Sequence, residues 1–210
     1  MKGIAKLGHY SFEFYLSKIS QQSNTNNYTL VDCDFNEINK HLPDNYEKLE
    51  SILNTLTAST YAQGIKKLLL PNITLHNVFY LFPKWLNGIE LCDPFEHFVP
   101  LPTKSKVYIL GSRHMHSSSV FNERINNINL SPQILSDKTR ETVDTIRLNA
   151  YHNGYSSKDA AILSDIIQKL SQTHPVIIAC SELSLSLAPH LPASGKVIDL
   201  ANIQIEHFIK

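Results

Sequence analysis

An excess of either charge is missing from this chain: nineteen Lys and Arg balance nineteen Asp and Glu over 210 residues. Proteins built around nucleic-acid phosphates or an anionic membrane normally carry a basic surplus, so neither partner is expected. Cysteine is scarce. Cys33, Cys92 and Cys180 are too few and too scattered for a disulfide framework or a zinc knuckle. No apolar run approaches the length that crosses a bilayer. The opening MKGIAKLGHYSFEF lacks the apolar centre and small-residue cleavage site of a secretory signal. A neutral, cytoplasmic, globular protein is the expectation. No GxGxxG or Walker sequence occurs, so nucleotide cofactors lose their usual handle. No internal repeat is evident either. What is present is a 42% hydrophobic share, enough to bury a core of ordinary size in one large domain or two small ones.

Short apolar runs alternate with amphipathic stretches, the pattern of β-α units around mainly parallel sheets. Strands are expected at Ile4–Leu7, Tyr28–Val31, Leu68–Leu70, Val107–Leu110, Val176–Ala179 and Val197–Ile198. One helical stripe runs through Tyr46, Leu49, Ile52, Leu53 and Leu56, with Asp44 as its expected N-cap. A second uses Val143, Ile146 and Ala150. A third uses Ile162, Leu163, Ile166, Ile167 and Leu170 behind the capping serines Ser156 and Ser157. The proline-bearing segments 92–104 and 188–195 read as crossings. They predict one α/β domain from residues 1–91 plus 189–210, a second from 105–188, and a connector at 92–104.

Ligands of parallel α/β sheets bind beyond the carboxyl ends of strands, so the polar residues there matter most. Gly8 follows the first strand and suits a turn or a close backbone approach. Asp32-Cys33-Asp34 follows the second; without neighbouring His or Cys at ligand spacing, a cap or cleft role is favoured over metal. After the third comes Pro71-Asn72-Ile73-Thr74-Leu75-His76. After the fourth comes Gly111-Ser112-Arg113-His114-Met115-His116, followed by three serines. No third ligand is fixed beside its two histidines, and the serines suit helix caps whose free N–H groups hold a carboxylate. After the fifth comes Cys180-Ser181-Glu182. A thiol at a helix N-terminus sits where the dipole favours thiolate, although cysteine is also often a small buried hydrophobe. The reactive reading predicts that Cys180 alkylates faster than Cys33 or Cys92.

Read in order, these strand ends resemble the aspartate/glutamate racemase family, especially its aspartate-racemase branch. VIIACSELSL at 176–185 is similar to that family's Gly-Cys-Thr-Glu signature, with Cys180, Ser181 and Glu182 in matching places. Residues 71–76 are similar to its Pro-Cys-Asn-Thr-Ala-His, LGSRHMHSSSVF to its middle segment, and GIAKLGHYSFEF, with Gly8, to its glycine-rich opening. VIDLANI resembles its closing strand. The resemblance implies two pseudo-symmetric α/β domains, each a mainly parallel sheet flanked by helices, with an active site in the interdomain cleft. It implies no PLP, metal or nucleotide, a small acidic amino acid or related carboxylate as substrate, and a family that often forms homodimers. Two cysteines in that family exchange the α-proton from opposite faces, with donors for the developing charge.

The departures are as informative. Cys180 supplies one cysteine, but the other falls on Asn72, whose amide is no ordinary acid or base. Ile73 stands where the family's carboxylate-binding Asn belongs. Thr74 and His76 match and are the nearest substitutes for the lost acid/base, His76 the better by its ordinary pKa. Gly8, Asn72, Ser112, Arg113, Ser181 and Glu182 are then the substrate-binding set, Arg113 through a bidentate carboxylate contact. Two alternatives stay open: a single-cysteine decarboxylase or isomerase on the same fold, and a catalytically silent carboxylate-binding relative.

Overall fold

A computed structural model describes residues 1–22, 27–98, 101–187 and 196–210. The chain divides into two units, Met1–Asp93 with Gln204–Lys210, and Pro94–Ile203. The first unit runs β1 (Lys2–Ala5), α1 (His9–Gln22), β2 (Tyr28–Val31), α2 (Phe35–Asn39), α3 (Tyr46–Ala62), β3 (Lys67–Leu69), α4 (Ile73–Leu81), a 3-10 turn (Pro83–Leu86) and β4 (Glu90–Leu91). Its sheet has the order β2-β1-β3-β4 with every pairing parallel, Gly3 standing opposite Thr29 and Leu68. The second unit runs β5 (Ser105–Leu110), α5 (Arg113–Ser117), α6 (Ser119–Asn127), β6 (Leu130–Pro132), α7 (Asp137–Asn153), α8 (Ser157–Ser171), β7 (Val176–Ile178), α9 (Ser181–Leu187), β8 (Val197–Asp199) and the start of α10 (Leu200–Ile209), whose remainder from Gln204 belongs to the first. Its sheet, β6-β5-β7-β8, repeats the same parallel order. The expected pair of parallel α/β units is what the chain forms.

The central strands are apolar on both faces because helices cover both sides. Residues 176–178 are all buried, as are 3–5. In the first unit, Leu49, Leu53 and Leu56 of α3 close over Leu68 and Val31. In the second, Val143 and Ile146 of α7, Leu163 and Ile167 of α8, and Leu183 and Leu187 of α9 enclose Val176 and Ile178. Each fully buried leucine stabilises its unit by about 2 kcal/mol relative to exposure.

Helix starts follow local chemistry. Ser156 caps α8 as expected, accepting from Asp159 N at 3.3 Å. Asp34 caps α2 through Glu37 N at 3.0 Å. The cap of α3 is Asn45, whose side chain accepts from Lys48 N, rather than the expected Asp44; the two neighbours are equally good cap types, and the sequence pattern does not separate them. Gly8 turns out of β1 at φ 65°, a conformation side-chain-bearing residues rarely adopt.

One expectation about the division needs correcting. The segment 189–210 is expected in the first unit, but β8 within it pairs with β7, Ile178 opposite Asp199. Only from Gln204 does α10 group with the first unit. Periodicity identifies a strand without saying which sheet receives it. Likewise Asp93 groups with the first unit and Pro94 onward with the second, so most of the expected connector 92–104 is part of the second unit. The crossing at 188–195 and most of the NTNN stretch lie outside the described residues.

Candidate functional site

β7 stops at Ile178, and two residues later Cys180 occupies the position before α9. Its carbonyl accepts from Leu183 N and Ser184 N, both at 3.1 Å, so the backbone here begins the helix. The side chain is left for other work. The half-buried Cys180 Sγ donates to Glu182 Oε2 at 2.8 Å, and Ser181 Oγ donates to the same oxygen at 3.3 Å. Burial, then the charge and hydrogen bond of Glu182, push the Cys180 thiol well above its ordinary pKa, against the opposing pull of Arg147. The expectation of a thiolate favoured by the helix N-terminus is therefore overturned. A seven-residue helix offers a modest dipole, whereas desolvation and an adjacent carboxylate both favour the neutral thiol. Burial also raises Cys33 to about 11 and Cys92 to about 12, so all three thiols are protonated near neutrality.

Arg147 and Asp144 are residues that sequence reasoning missed. Asp144 sits on the inward side of α7 and is 5% exposed. One carboxylate oxygen accepts from Arg147 Nε at 2.8 Å, the other from Arg113 Nε at 2.9 Å. Burial works against the charge of Arg147, but the Asp144 bond and the nearby Cys180 and Glu182 outweigh it and hold the guanidinium protonated. The signal was in the sequence: opposite charges three residues apart flanking the stripe Val143, Ile146, Ala150.

The β5 end is built as a short helix start. Ser112 precedes α5 but makes no side-chain cap bond, while Ser118 caps α6 through Phe121 N at 3.2 Å. Arg113, expected to be open for a bidentate carboxylate contact, is mostly exposed but already uses its Nε on Asp144; its terminal nitrogens are what a ligand can meet. Gly111, Arg113, His116 and Arg140 line a pocket of about 260 Å³ together with Asp137 and Glu141. Burial, then the charge of Arg140, lowers the pKa of His116, so its ring is neutral there.

In the first unit the β3 end carries Asn72, Thr74 and His76. Asn72 precedes α4 and its Oδ1 accepts from Leu75 N at 3.0 Å, a cap duty that leaves its amide nitrogen for other partners. Thr74 is half-buried one residue into the helix. His76, expected as the substitute acid/base, is fully buried. Its Nε2 lies 3.1 Å from Leu70 O and 2.6 Å from Gln204 Nε2, and its Nδ1 is 3.8 Å from Asp93 Oδ2. Gln204 also donates to Cys92 O at 3.3 Å and accepts from the Tyr15 hydroxyl. This arrangement ties α10 to α1, α4 and the β3 and β4 ends, so the structure gives His76 a packing role and no accessible ring nitrogen. Gly8, after β1, is half-buried; its carbonyl accepts from Phe12 N at 3.0 Å to start α1.

Among the described residues, no group of three or more His, Cys, Asp or Glu side chains could hold a metal ion. Nor is any described helix long and apolar enough to cross a membrane.

No family model matches the chain, and no curated protein matches it. Solved structures do. An aspartate racemase homologue from Pyrococcus horikoshii superposes with a TM-score of 0.74 at 18% identity, over 99% of this chain and 96% of that one. A putative Asp/Glu racemase from Yersinia pestis gives a TM-score of 0.72 at 19% identity, over 100% and 98%. Picrophilus torridus aspartate racemase gives a TM-score of 0.71 at 15% identity, over 100% and 92%. With two parallel four-stranded sheets of the same order and these full-length superpositions, the chain has the fold of the aspartate and glutamate racemases.

Proposed function

We propose that this protein is a cofactor-independent enzyme of the racemase type, transferring a proton at the carbon beside a carboxylate in aspartate, glutamate or a related small acid, with Cys180 as the transferring group. The observation that carries the reading is the Cys180–Glu182 hydrogen bond of 2.8 Å at the end of β7, on the racemase fold. A thiol held protonated is poised to give its proton to a carbanionic carbon. Glu182, already accepting the S–H, is placed to return a proton to sulfur after the transfer or to take it before one. In the second unit, Ser112 and the terminal nitrogens of Arg113 are assigned to the ligand's carboxylate.

Asn72 supplies no exchangeable acid at the strand end that matches Cys180, and His76 is sealed inside its unit. Both facts favour a one-base site over a symmetric two-thiol racemase. They also support the second reading, a single-thiol enzyme that protonates an enediolate after loss of CO2. The test is proton-deuteron exchange in D2O, followed by NMR over acidic amino acids and α-substituted malonates. Exchange at the α-carbon without inversion, abolished by Cys180→Ser, is the expected result. Deuterium incorporation with CO2 release from the malonates moves the assignment to the decarboxylase. Silence across the panel with ligand binding retained leaves a carboxylate binder.

A further inference from the structure

In the second unit, α7 packs on α9, and Cys180 joins the cluster formed by Val143, Ile146 and Leu183. Arg147, one turn beyond Val143 on α7, is largely enclosed, its side chain 21% exposed. A guanidinium desolvated to that degree needs a partner, and Asp144 supplies one by fixing Nε at 2.8 Å. The bond to Nε constrains the direction in which the terminal nitrogens point. Cys180 packs against Val143 and Ile146, the α7 neighbours of Arg147, and from there the pair and the guanidinium act on each other electrostatically. The charged and titratable groups around the thiol are therefore Glu182 on its own helix and Arg147 on α7, with Asp144 and Arg113 behind.

These groups oppose each other. A neutral Cys180 thiol donating to Glu182 Oε2 is a satisfied pair, but a thiolate there would face a carboxyl oxygen with no proton left between them, in partly desolvated surroundings. A repulsion of that kind blocks any step that leaves the sulfur anionic. Arg147 is a positive charge that acts on this thiol from α7. We propose that Arg147 is the positioning residue of the Cys180–Glu182 pair, supplying the charge that lets the thiol proton leave, and that Asp144 holds it in place for that purpose. The inference rests on Cys180 being the proton-transferring thiol. It goes beyond that reading by naming what makes the anionic half of the cycle accessible. The proton balance runs through sulfur in both directions: Glu182 takes the Cys180 proton, the thiolate facing Arg147 takes the α-proton as the C–H electron pair passes into the substrate carboxylate, the protons on Glu182 and sulfur exchange with solvent, and one returns from sulfur to the carbon while Glu182 reprotonates the thiolate.

The experiment reads the thiol directly. The rate of alkylation of Cys180 by iodoacetamide is followed against pH in the full chain, with peptide-resolved mass spectrometry separating it from Cys33 and Cys92. Arg147→Gln is expected to move the midpoint of the profile upward by about one pH unit or more. Arg147→Lys, which keeps a cation on the same helix face, is expected to restore at least half of that displacement. Where the Gln variant fails to fold, Arg147→Met keeps the apolar stem against α9 and carries the same expectation. A neutral variant whose profile coincides with the parent's overturns the inference, as does a Lys variant displaced as far as the neutral one. Because alkylation needs no substrate, the outcome is separable from the exchange test. A displaced profile in a protein that exchanges no α-proton upholds the Arg147 assignment and removes the proton-transfer reading alone.

Discussion

The two units place different chemistry at the same address. Each third strand of the series ends two or three residues before a helix, and the residue before that helix is Asn72 in one unit and Cys180 in the other. Asn72 caps with its side chain; Cys180 caps with its backbone and keeps its thiol for Glu182. Four residues on, the pairing repeats. His76 lies beside Asp93, which follows β4, and Ser184 Oγ donates to Asp199, which ends β8, at 2.7 Å. The first unit has turned this framework into an interior, with His76, Gln204 and Tyr15 all fully buried. The second keeps a half-buried thiol, carboxylate and guanidinium there. The same topology thus serves as a scaffold on one side and a candidate reactive site on the other.

Three sets of measurements break or sharpen that contrast. The largest effect is expected from His76→Ala, which removes a fully buried ring and leaves Gln204 beside a cavity; chemical denaturation should show a loss of about 3 kcal/mol or more. Its counterpart Ser184→Ala, which deprives the buried Asp199 of one of its donors, should cost about 1–2 kcal/mol. Equal costs would mean that the first unit's interior is no more specialised than the second's.

Next comes alkaline pH. The Cys92 thiol, fully buried, is raised from 9.0 to about 12. Folded chain then holds a proton that unfolded chain releases above pH 9. Its contribution is complete below that pH and is lost as pH rises through the window up to about 12, at up to about 1.4 kcal/mol per pH unit. Urea midpoints measured from pH 8 to 11 should fall less steeply in Cys92→Ala than in the parent.

The smallest effects separate the two helix starts. Asn72→Ala removes a side-chain cap and should cost about 1 kcal/mol, whereas Cys180→Ala should cost less than about 0.5 kcal/mol because the α9 N–H groups do not use the side chain. A Cys180→Ala cost matching that of Asn72→Ala would give the thiol a structural duty as well.

Much of this was legible in the residues. Six of the eight strands among the described residues lie within two residues of their expected starts, because short apolar runs that are buried on both faces leave a strong signature. The two missed strands, Glu90–Leu91 and Leu130–Pro132, are two and three residues long and carry Glu or Pro, too brief for any period to register. The strand-end residues were found in order because parallel topology dictates where polar groups collect. The chemistry of those residues was harder to read. That Cys180 is a neutral thiol follows from Glu182 two residues away and from burial by α7 and α8, a balance only packing decides. That His76 is interior depends on Gln204, 128 residues distant. Asp144 and Arg147 carry no signal beyond opposite charges three residues apart. Their importance arises from the helix face they share with the core.

The return of α10 also sets an order of events. Gln204 meets Tyr15 across 189 positions of chain, and Lys2 Nζ donates to Phe208 O across 206. Contacts of that sequence separation form late, since closing such loops costs entropy before any of it is offset. During synthesis the first unit therefore emerges early but stays unfinished, with a place open beside His76 that only residues 204–210 fill. All of the second unit is made in the interval. The half that is translated first is the half that is completed last.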